Sequence, residues 1–321
     1  MTKRQGSGEI AVKTQFNAQW HLVLMHNPAE LFDPPFTIVR PSRQMAAAVL
    51  NSPHSGSQYP HQFLKTTRLQ AAALRRSEDC YVDELFAAAT DAGAPLLKAN
   101  FPRAFIDLNR EPNELDPHLI EGPLPRTANA SSVRVLGGLG TIPRVVCEGE
   151  EIYRRKIALS DALARIANLY EPYHAALAGL MSSTRDIFGV ALLIDCHSMP
   201  SSAASSTTAV SPQPDIVIGD RHGSSSCSAL VERIEQLFRK HGLKVQRNRP
   251  YAGGFITECY GKPSKAFHAV QIEINRAIYM NERTLVKHSG FTTLKQINAN
   301  VLRTLLPDVH ALISPLRAAA E

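Results

Sequence analysis

The sequence predicts an α/β fold in which one mixed, mainly parallel sheet is flanked by helices. Short apolar runs recur along the chain and several break abruptly into polar residues. That is the pattern of strands buried on both faces, whose carboxyl ends open into a crevice. Amphipathic segments with apolar residues three and four apart lie between them, and strands alternate with helices without any internal repeat. The chain has 321 residues, 44% of them hydrophobic and 20% charged, which is enough to bury a substantial core without disulfide or metal staples.

Residues 1–35 show no sustained period and are expected to form a loosely attached N-terminal extension, with a single catalytic domain over 36–321. Residues 36–40 are a short β-rich segment. Residues 46–51 are an apolar strand running into Pro53-His54-Ser55-Gly56. Residues 67–74 and 79–92 are helical in pattern. The second carries Val82, Leu85, Phe86 and Ala89 on one face, with Ser77, Glu78 and Asp79 as capping and acidic residues at its start. Residues 94–99 are a strand, and residues 101–106 are predicted as another that ends in Asp107, Asn109 and Arg110. The stretch 111–149, rich in proline and glycine, reads as a long loop of the functional or lid type.

Residues 150–181 form one or two amphipathic helices, bent near Pro172. Residues 190–197, ending Ile194-Asp195-Cys196-His197, read as a buried strand, and 200–214 as a flexible Ser/Ala/Thr/Pro loop. Strands at 215–219, 244–247 and 267–276 follow, with a helix over 225–241, and residues 298–320 close the chain as a helix interrupted by Pro307.

Several function classes are disfavoured. No apolar run approaches the roughly 20 residues needed to span a bilayer, and the basic start is followed by no apolar leader segment. No membrane association is therefore expected. The cysteines, Cys80, Cys147, Cys196, Cys227 and Cys259, are odd in number, scattered and never paired as Cys-x-x-Cys, which points to reduced thiols and a cytoplasmic protein. The net charge is +6, but the basic residues are dispersed and no aromatic pattern suited to stacking bases accompanies them. Nucleic acid is not expected as a partner. Arginines placed to hold an anionic small substrate account for part of the charge.

Four polar clusters fall at predicted strand ends: His54; Arg103 with Asp107, Asn109 and Arg110; Asp195 with His197; and Glu273. Taken alone, each is equally a polar loop with a satisfied histidine or a solvated carboxylate. Together they are the parts of a metalloamidase. Zinc takes two or three His or carboxylate ligands and keeps a position open. A carboxylate outside that set moves the proton, and arginine grips a substrate carboxylate or a developing oxyanion. Two histidines so far apart are no spacing motif, so spacing leaves metal binding open.

The order of five motifs adds to this. Pro53-His54-Ser55-Gly56, Ile106-Asp107-Leu108-Asn109-Arg110, Ile194-Asp195-Cys196-His197-Ser198, Gly253-Gly254-Phe255-Ile256-Thr257, and Ala269-Val270-Gln271-Ile272-Glu273 with Tyr279-Met280-Asn281-Glu282 resemble the N-formylglutamate amidohydrolase family over roughly residues 45 to 310. The second and third motifs are also similar to those of the aspartoacylase relatives. The resemblance implies a zinc-carboxypeptidase-like fold and hydrolysis of N-formyl-L-glutamate, a small anionic N-acyl amino acid, in histidine breakdown. It implies His54 and His197 as zinc ligands and Glu273 as general base. Asn109 and Arg110 would grip the substrate carboxylate, and Arg103 would polarise the scissile carbonyl. Asp195 is expected to orient His197, and Gly254 to let the backbone approach the substrate.

One departure stands out. The carboxypeptidase and aspartoacylase pattern has a carboxylate ligand three residues after the first histidine, where this chain has Ser57 and then Gln58. The amidohydrolase family carries an acidic position at the start of the next helix. This implies Asp79 as the third ligand, with Glu78 and Asp83 as alternatives; the bland reading is that Glu78 and Asp79 only complement the helix dipole. Cys196 is expected to point to the opposite face of its strand as a buried small hydrophobe. His61, His118, His174, His222, His241 and His288 are expected at the surface, and His268 is left open between site and core. Two further functional readings stay open: an amidohydrolase of another N-acyl amino acid or a cell-wall peptide, and a non-catalytic ligand-binding descendant.

Overall fold

The computed structural model describes residues 27–146, 149–204 and 213–313. Seven strands form the main sheet: β1 Phe36–Val39, β2 Ala48–Ser52, β3 Leu96–Ala99, β4 Ala191–Met199, β5 Ile216–Gly219, β6 Val245–Arg247 and β7 Phe267–Asn275. Their spatial order is β1-β3-β2-β4-β7-β5-β6. The β3–β2, β2–β4, β4–β7 and β5–β6 pairs are parallel, while β1–β3 and β7–β5 are antiparallel. The predicted mixed, mainly parallel sheet flanked by helices is the observed one.

The central strands are apolar because both of their faces are covered. All nine residues of β4 and all nine of β7 are buried. Leu192, Ile194 and Cys196 of β4, with Val270, Ile272 and Ile274 of β7, pack against two helices, α2 (Ser228–Lys240) and α3 (Ser289–Ile313), through Leu230, Val231, Ile234, Leu294 and Leu302. Ala191 and Leu193 face the other core with Val49, beneath α1 (Glu171–Phe188) and its Tyr173, Leu177 and Met181. Each fully buried aliphatic side chain of this kind contributes about 1.5–3 kcal/mol. Strand alternation then places Asp195 and His197 of β4, and Gln271 and Glu273 of β7, on the α1 side. In the parallel register His197 sits directly beside Glu273, and Asn51 of β2 beside Asp195.

Several elements differ from the sequence prediction, each for a local reason. The strand expected over 101–106 does not form. Residues 101–110 run as turns, with Phe105 N–H bonded to the Pro102 carbonyl and Asp107 N–H to that of Thr141. This segment is pinned from α1 and the turn before it: Tyr170 hydroxyl donates to the Arg110 carbonyl at 2.7 Å, and a His174 ring nitrogen lies 2.9 Å from the Leu108 carbonyl. His174 is thus buried, contrary to the surface position expected of it, and burial pulls its pKa down to about 4.

The helix predicted over 79–92 is only Val82–Leu85 plus a short 3-10 turn, Ala87–Ala89. Tyr81, at φ +65°, breaks it in the left-handed region, and no side chain caps its start. Asp79 instead donates its N–H to the His54 carbonyl at 3.0 Å. A π turn, Ile166–Tyr170, precedes α1, where Pro172 has no N–H to give a regular ladder. The last helix begins at Ser289, nine residues earlier than its apolar period suggested. The boundary expected at residue 35 is crossed by packing, because Phe32 is buried against Phe101 and Phe105, at ring separations of 5.7 and 5.4 Å. The rest of the expected extension, residues 1–26, lies outside the described residues. No helix of the described residues is long and apolar enough to cross a membrane.

Candidate metal centre and active-site cavity

Toward the carboxyl ends of β2 and β4, three side chains converge. His54 Nδ1 lies 3.5 Å from Asp79 Oδ2, and His197 Nδ1 lies 2.9 Å from the same oxygen. The two imidazole rings meet edge to face, with centroids 4.9 Å apart. All three residues are buried, and their ligand atoms lie within 4.8 Å of one another. Donors 2.0–2.2 Å from a tetrahedral ion sit roughly 3.4 Å apart, so the set fits a small divalent cation. His54 Nδ1 supports that fit independently: it is fully buried and makes no hydrogen bond, an arrangement that a bound cation would satisfy.

The far side of each imidazole is held by a carboxylate. His54 Nε2 is 2.8 Å from Asp107 Oδ1, and His197 Nε2 is 2.9 Å from Asp195 Oδ2. Such partners fix the ring and the tautomer, leaving Nδ1 to face the ligand position. Asp195 is held in turn: its Oδ1 accepts from Asn51 Nδ2 at 2.8 Å, and Asn51 Oδ1 accepts from the Tyr173 hydroxyl at 2.6 Å. Asp79 is steadied by Arg276, whose Nη2 donates to its Oδ1 at 2.9 Å. Burial alone would raise the Asp79 carboxyl, but the hydrogen bond with His197 and the charges of His197 and His54 hold it well below the usual carboxylate range. Burial likewise opposes charge on His197, yet Asp195 and then Asp79 raise its proton affinity well above the ordinary value.

Glu273 is buried beside this cluster, and burial pushes its carboxyl up to about 7, with His197 lowering it and Asp79 raising it. Gln271 orients it: Gln271 Nε2 donates to Glu273 Oε1 at 2.7 Å, while Gln271 Oε1 accepts from Gly254 N–H at 2.7 Å. A cavity of about 470 Å³ opens over these groups, lined also by Arg103, Asn109, Arg110, Arg134, Tyr251 and Arg276. Arg103 donates through Nε to Asp107 Oδ2 at 2.9 Å. Burial raises Asp107, but Arg103, Arg110 and His54 hold it well below the usual range.

Comparison with known proteins matches this architecture. The family model described as N-formylglutamate amidohydrolase matches residues 46–280. The chain belongs to the N-formylglutamate amidohydrolase family. Its relatives include an N-formylglutamate deformylase of Pseudomonas aeruginosa, 28% identical over 82% of this chain and 92% of that protein. A second, from Pseudomonas putida, is 28% identical over 73% of this chain and 82% of its own length. The crystal structure of N-formylglutamate amidohydrolase from Ralstonia eutropha JMP134 superposes with a TM-score of 0.82 at 34% identity, covering 86% of this chain and 99% of that one. A gene product of Agrobacterium tumefaciens, at 15% identity and a TM-score of 0.62, shares the fold.

Within this member of the amidohydrolase family, the residues singled out from sequence come together around one cavity. His54, Asp79 and His197 form the cluster, and Glu273, Arg103, Asn109, Arg110 and Gly254 line the space above it. The alternatives for the third ligand lie elsewhere. Glu78 bonds the Tyr59 hydroxyl and Arg75, and Asp83 pairs with Lys98 at 2.8 Å. Ser57 and Gln58 are exposed. Gly254 lines the cavity and also meets a packing requirement. Its N–H goes to Gln271, and a Cβ there would come within 2.4 Å of the Asn109 amide. Asn109 Oδ1 accepts from Ile256 N–H at 2.8 Å, and its Nδ2 lies 3.4 Å from His197 Nε2. His268 belongs to the opposite face of β7, where its Nδ1 accepts from Cys227 N–H at 3.2 Å.

Sequence reasoning gave no role to Gln271, Arg276 or Arg134, and none to Asp107 beyond its cluster. Gln271 had a usable signal, since it stands two residues before Glu273 and so shares its face. Arg276 and Asp107 act on residues 197 and 53 positions away, and no local pattern marks such partners.

Proposed function

We propose that this chain hydrolyses the amide bond of N-formyl-L-glutamate to formate and L-glutamate, with a zinc ion held by His54, Asp79 and His197. What supports the reading most is the convergence of both Nδ1 atoms on Asp79 Oδ2, with Glu273 on the neighbouring strand position. The relatives named N-formylglutamate deformylase agree with it. Bound there, zinc would supply Lewis acidity, polarising a carbonyl oxygen and acidifying water.

The chain's own groups account for the remainder. Glu273, with its proton affinity near neutrality, takes a proton from water as the water oxygen bonds to the formyl carbon. It then delivers that proton to the amide nitrogen as the carbon–nitrogen bond breaks, releasing formate and the free amine. Gln271 holds Glu273 Oε1 in place throughout. Arg103, anchored by Asp107, presents its remaining N–H groups to the oxygen that gains negative charge. Arg110, fixed by the Leu139 and Asn109 carbonyls, grips a substrate carboxylate.

A panel of N-acyl amino acids assayed with zinc and with chelator tests this. N-formyl-L-glutamate is expected to give the highest kcat/KM. Hydrolysis of another acyl amino acid with none of N-formyl-L-glutamate would replace the substrate, and zinc-dependent hydrolysis of none would remove the enzymatic reading.

A further inference from the structure

His174 is a buried titratable side chain that the proposed reaction does not use. It stands in the first turn of α1, four residues after Tyr170, and the two rings lie 4.2 Å apart between centroids. Tyr260 stacks on the imidazole at 6.0 Å with an interplanar angle of 11°, and Phe255 meets it edge-on at 5.9 Å. His174 Nε2 lies 2.9 Å from the Leu108 carbonyl. Its Nδ1 lies 3.0 Å from the Tyr260 hydroxyl, which is also 3.0 Å from the His174 carbonyl. A carbonyl only accepts, so Nε2 carries the hydrogen and Nδ1 is the acceptor. The Tyr260 hydrogen is then shared between Nδ1 and the carbonyl. Burial lowers the pKa to about 4, against the Leu108 bond and the Asp195 charge, and so keeps the ring neutral in that role.

The two groups that His174 holds belong to different parts of the cavity wall. Leu108 lies between Asp107 and Asn109, both of which line the cavity. Residues 101–110 belong to no strand, so bonds from outside fix their path. Asp107 stands behind His54 and Arg103, and its Oδ1 accepts from Asn109 N–H at 2.9 Å. Asn109 Oδ1 in turn accepts from Ile256 N–H at 2.8 Å. Ile256 and Tyr260 sit on one short helix, Phe255–Tyr260, directly after the cavity-lining Gly253 and Gly254. The circuit therefore closes: imidazole to Leu108, Asn109 to Ile256, and along the helix to Tyr260 and the imidazole again.

We infer that His174 is a positioning residue for the candidate site, its Nε2–H and Nδ1 together setting the turn that carries Asp107 and Asn109 against the helix that follows Gly254. Its effect on turnover rests on the amidase reading above; its effect on the turn does not. His174 does not line the cavity itself and acts only through the groups it holds. A misplacement of about 1 Å at such groups can cost about 10²-fold in rate.

The test compares full-length wild type with two variants, each first shown to be folded by thermal unfolding. His174→Gln keeps an amide N–H near the Nε2 position, and His174→Phe keeps a ring but loses both polar contacts. N-formyl-L-glutamate kinetics, zinc affinity by competition against a chelator, and amide-resolved hydrogen exchange are measured on all three. His174→Phe should lose about 10–100-fold in kcat/KM, with kcat falling as well as KM rising. Its zinc affinity should fall by about 3–10-fold, less than the loss of a direct partner of a ligating histidine costs. The Asp107, Asn109 and Ile256 amides should exchange about 10-fold faster, referred to Leu193 in the core strand β4. His174→Gln should recover most of each loss. Faster exchange with unchanged kinetics and zinc affinity, the reverse, or no change in any of them would overturn the inference. So would a His174→Gln as impaired as His174→Phe, because packing and not the bond to Leu108 would then be responsible. Should wild type hydrolyse no N-formyl-L-glutamate, the deformylase reading fails and exchange decides alone. Faster exchange in His174→Phe that His174→Gln restores then supports the role of His174, and exchange equal to wild type removes it.

Discussion

Asp107 Oδ1 lies 2.8 Å from His54 Nε2, and that contact decides which way the first histidine faces. With Nε2 engaged, only Nδ1 remains to point at Asp79 Oδ2. The second carboxylate oxygen of Asp107 anchors Arg103 at 2.9 Å, so one buried residue sets both the nitrogen that His54 turns toward Asp79 and a cavity cation.

Replacing Asp107 by Ala should therefore weaken metal binding by about 10–100-fold, the usual cost of losing the partner behind a ligating histidine. Competition against a chelator of known affinity measures it. The metal-free variant is checked by thermal unfolding, so that a lost fold is not read as a lost ligand orientation. Unchanged metal affinity in a folded variant would contradict the role given to Asp107.

In the proposed reaction Glu273 serves as a base only when ionised, so activity must fall as pH drops through its pKa. Burial places that value at about 7, with His197 lowering and Asp79 raising it, and a bound cation lowers it further. The acid limb of kcat/KM should thus lie at or below about pH 7. Glu273→Gln should cost about 10²–10⁴-fold in kcat while the metal content stays that of wild type. A rate that rises toward acid pH, or metal lost with Glu273→Gln, would mean that the base has been misassigned.

Gly254 is a packing requirement. A Cβ at this position would stand 2.4 Å from Asn109 Nδ2 and 2.5 Å from its Oδ1, and Asn109 is tied to Ile256 N–H. Gly254→Ala should lower stability by about 1–3 kcal/mol, the cost of overpacking, and reduce activity by displacing Asn109 and Gln271. Chemical denaturation and steady-state kinetics check this. A variant as stable and active as wild type would show that the contact yields freely.

The sheet was legible because its central strands are covered on both faces and so read as apolar runs: Ala191 to Ile194 is unbroken, and Phe267 to Ile274 is interrupted only by His268, Gln271 and Glu273. The abrupt change to Asp195 and His197, and alternation along β4, put those two on one face and Cys196 on the other. The same apolar content reads as a strand over residues 101–106. There Phe105, Ile106 and Leu108 are buried by turns pinned from Tyr170 and His174, and a pinned turn has no periodicity to read. Asp79 was reached through resemblance, with a helix start as its local context. The helix in fact begins at Val82, after the left-handed Tyr81, which frees Asp79 to meet His54. The partners that steady the cluster, Asp107, Arg276 and the Tyr173–Asn51–Asp195 chain, are long-range contacts that only the assembled fold brings together.

The most direct test follows metal content and N-formyl-L-glutamate hydrolysis together, as metal is stripped from the purified full-length chain by chelator and then restored with zinc. The account predicts about one ion per chain, activity that disappears with it, and activity that returns on reconstitution. Full hydrolysis by protein shown to be metal-free would contradict it.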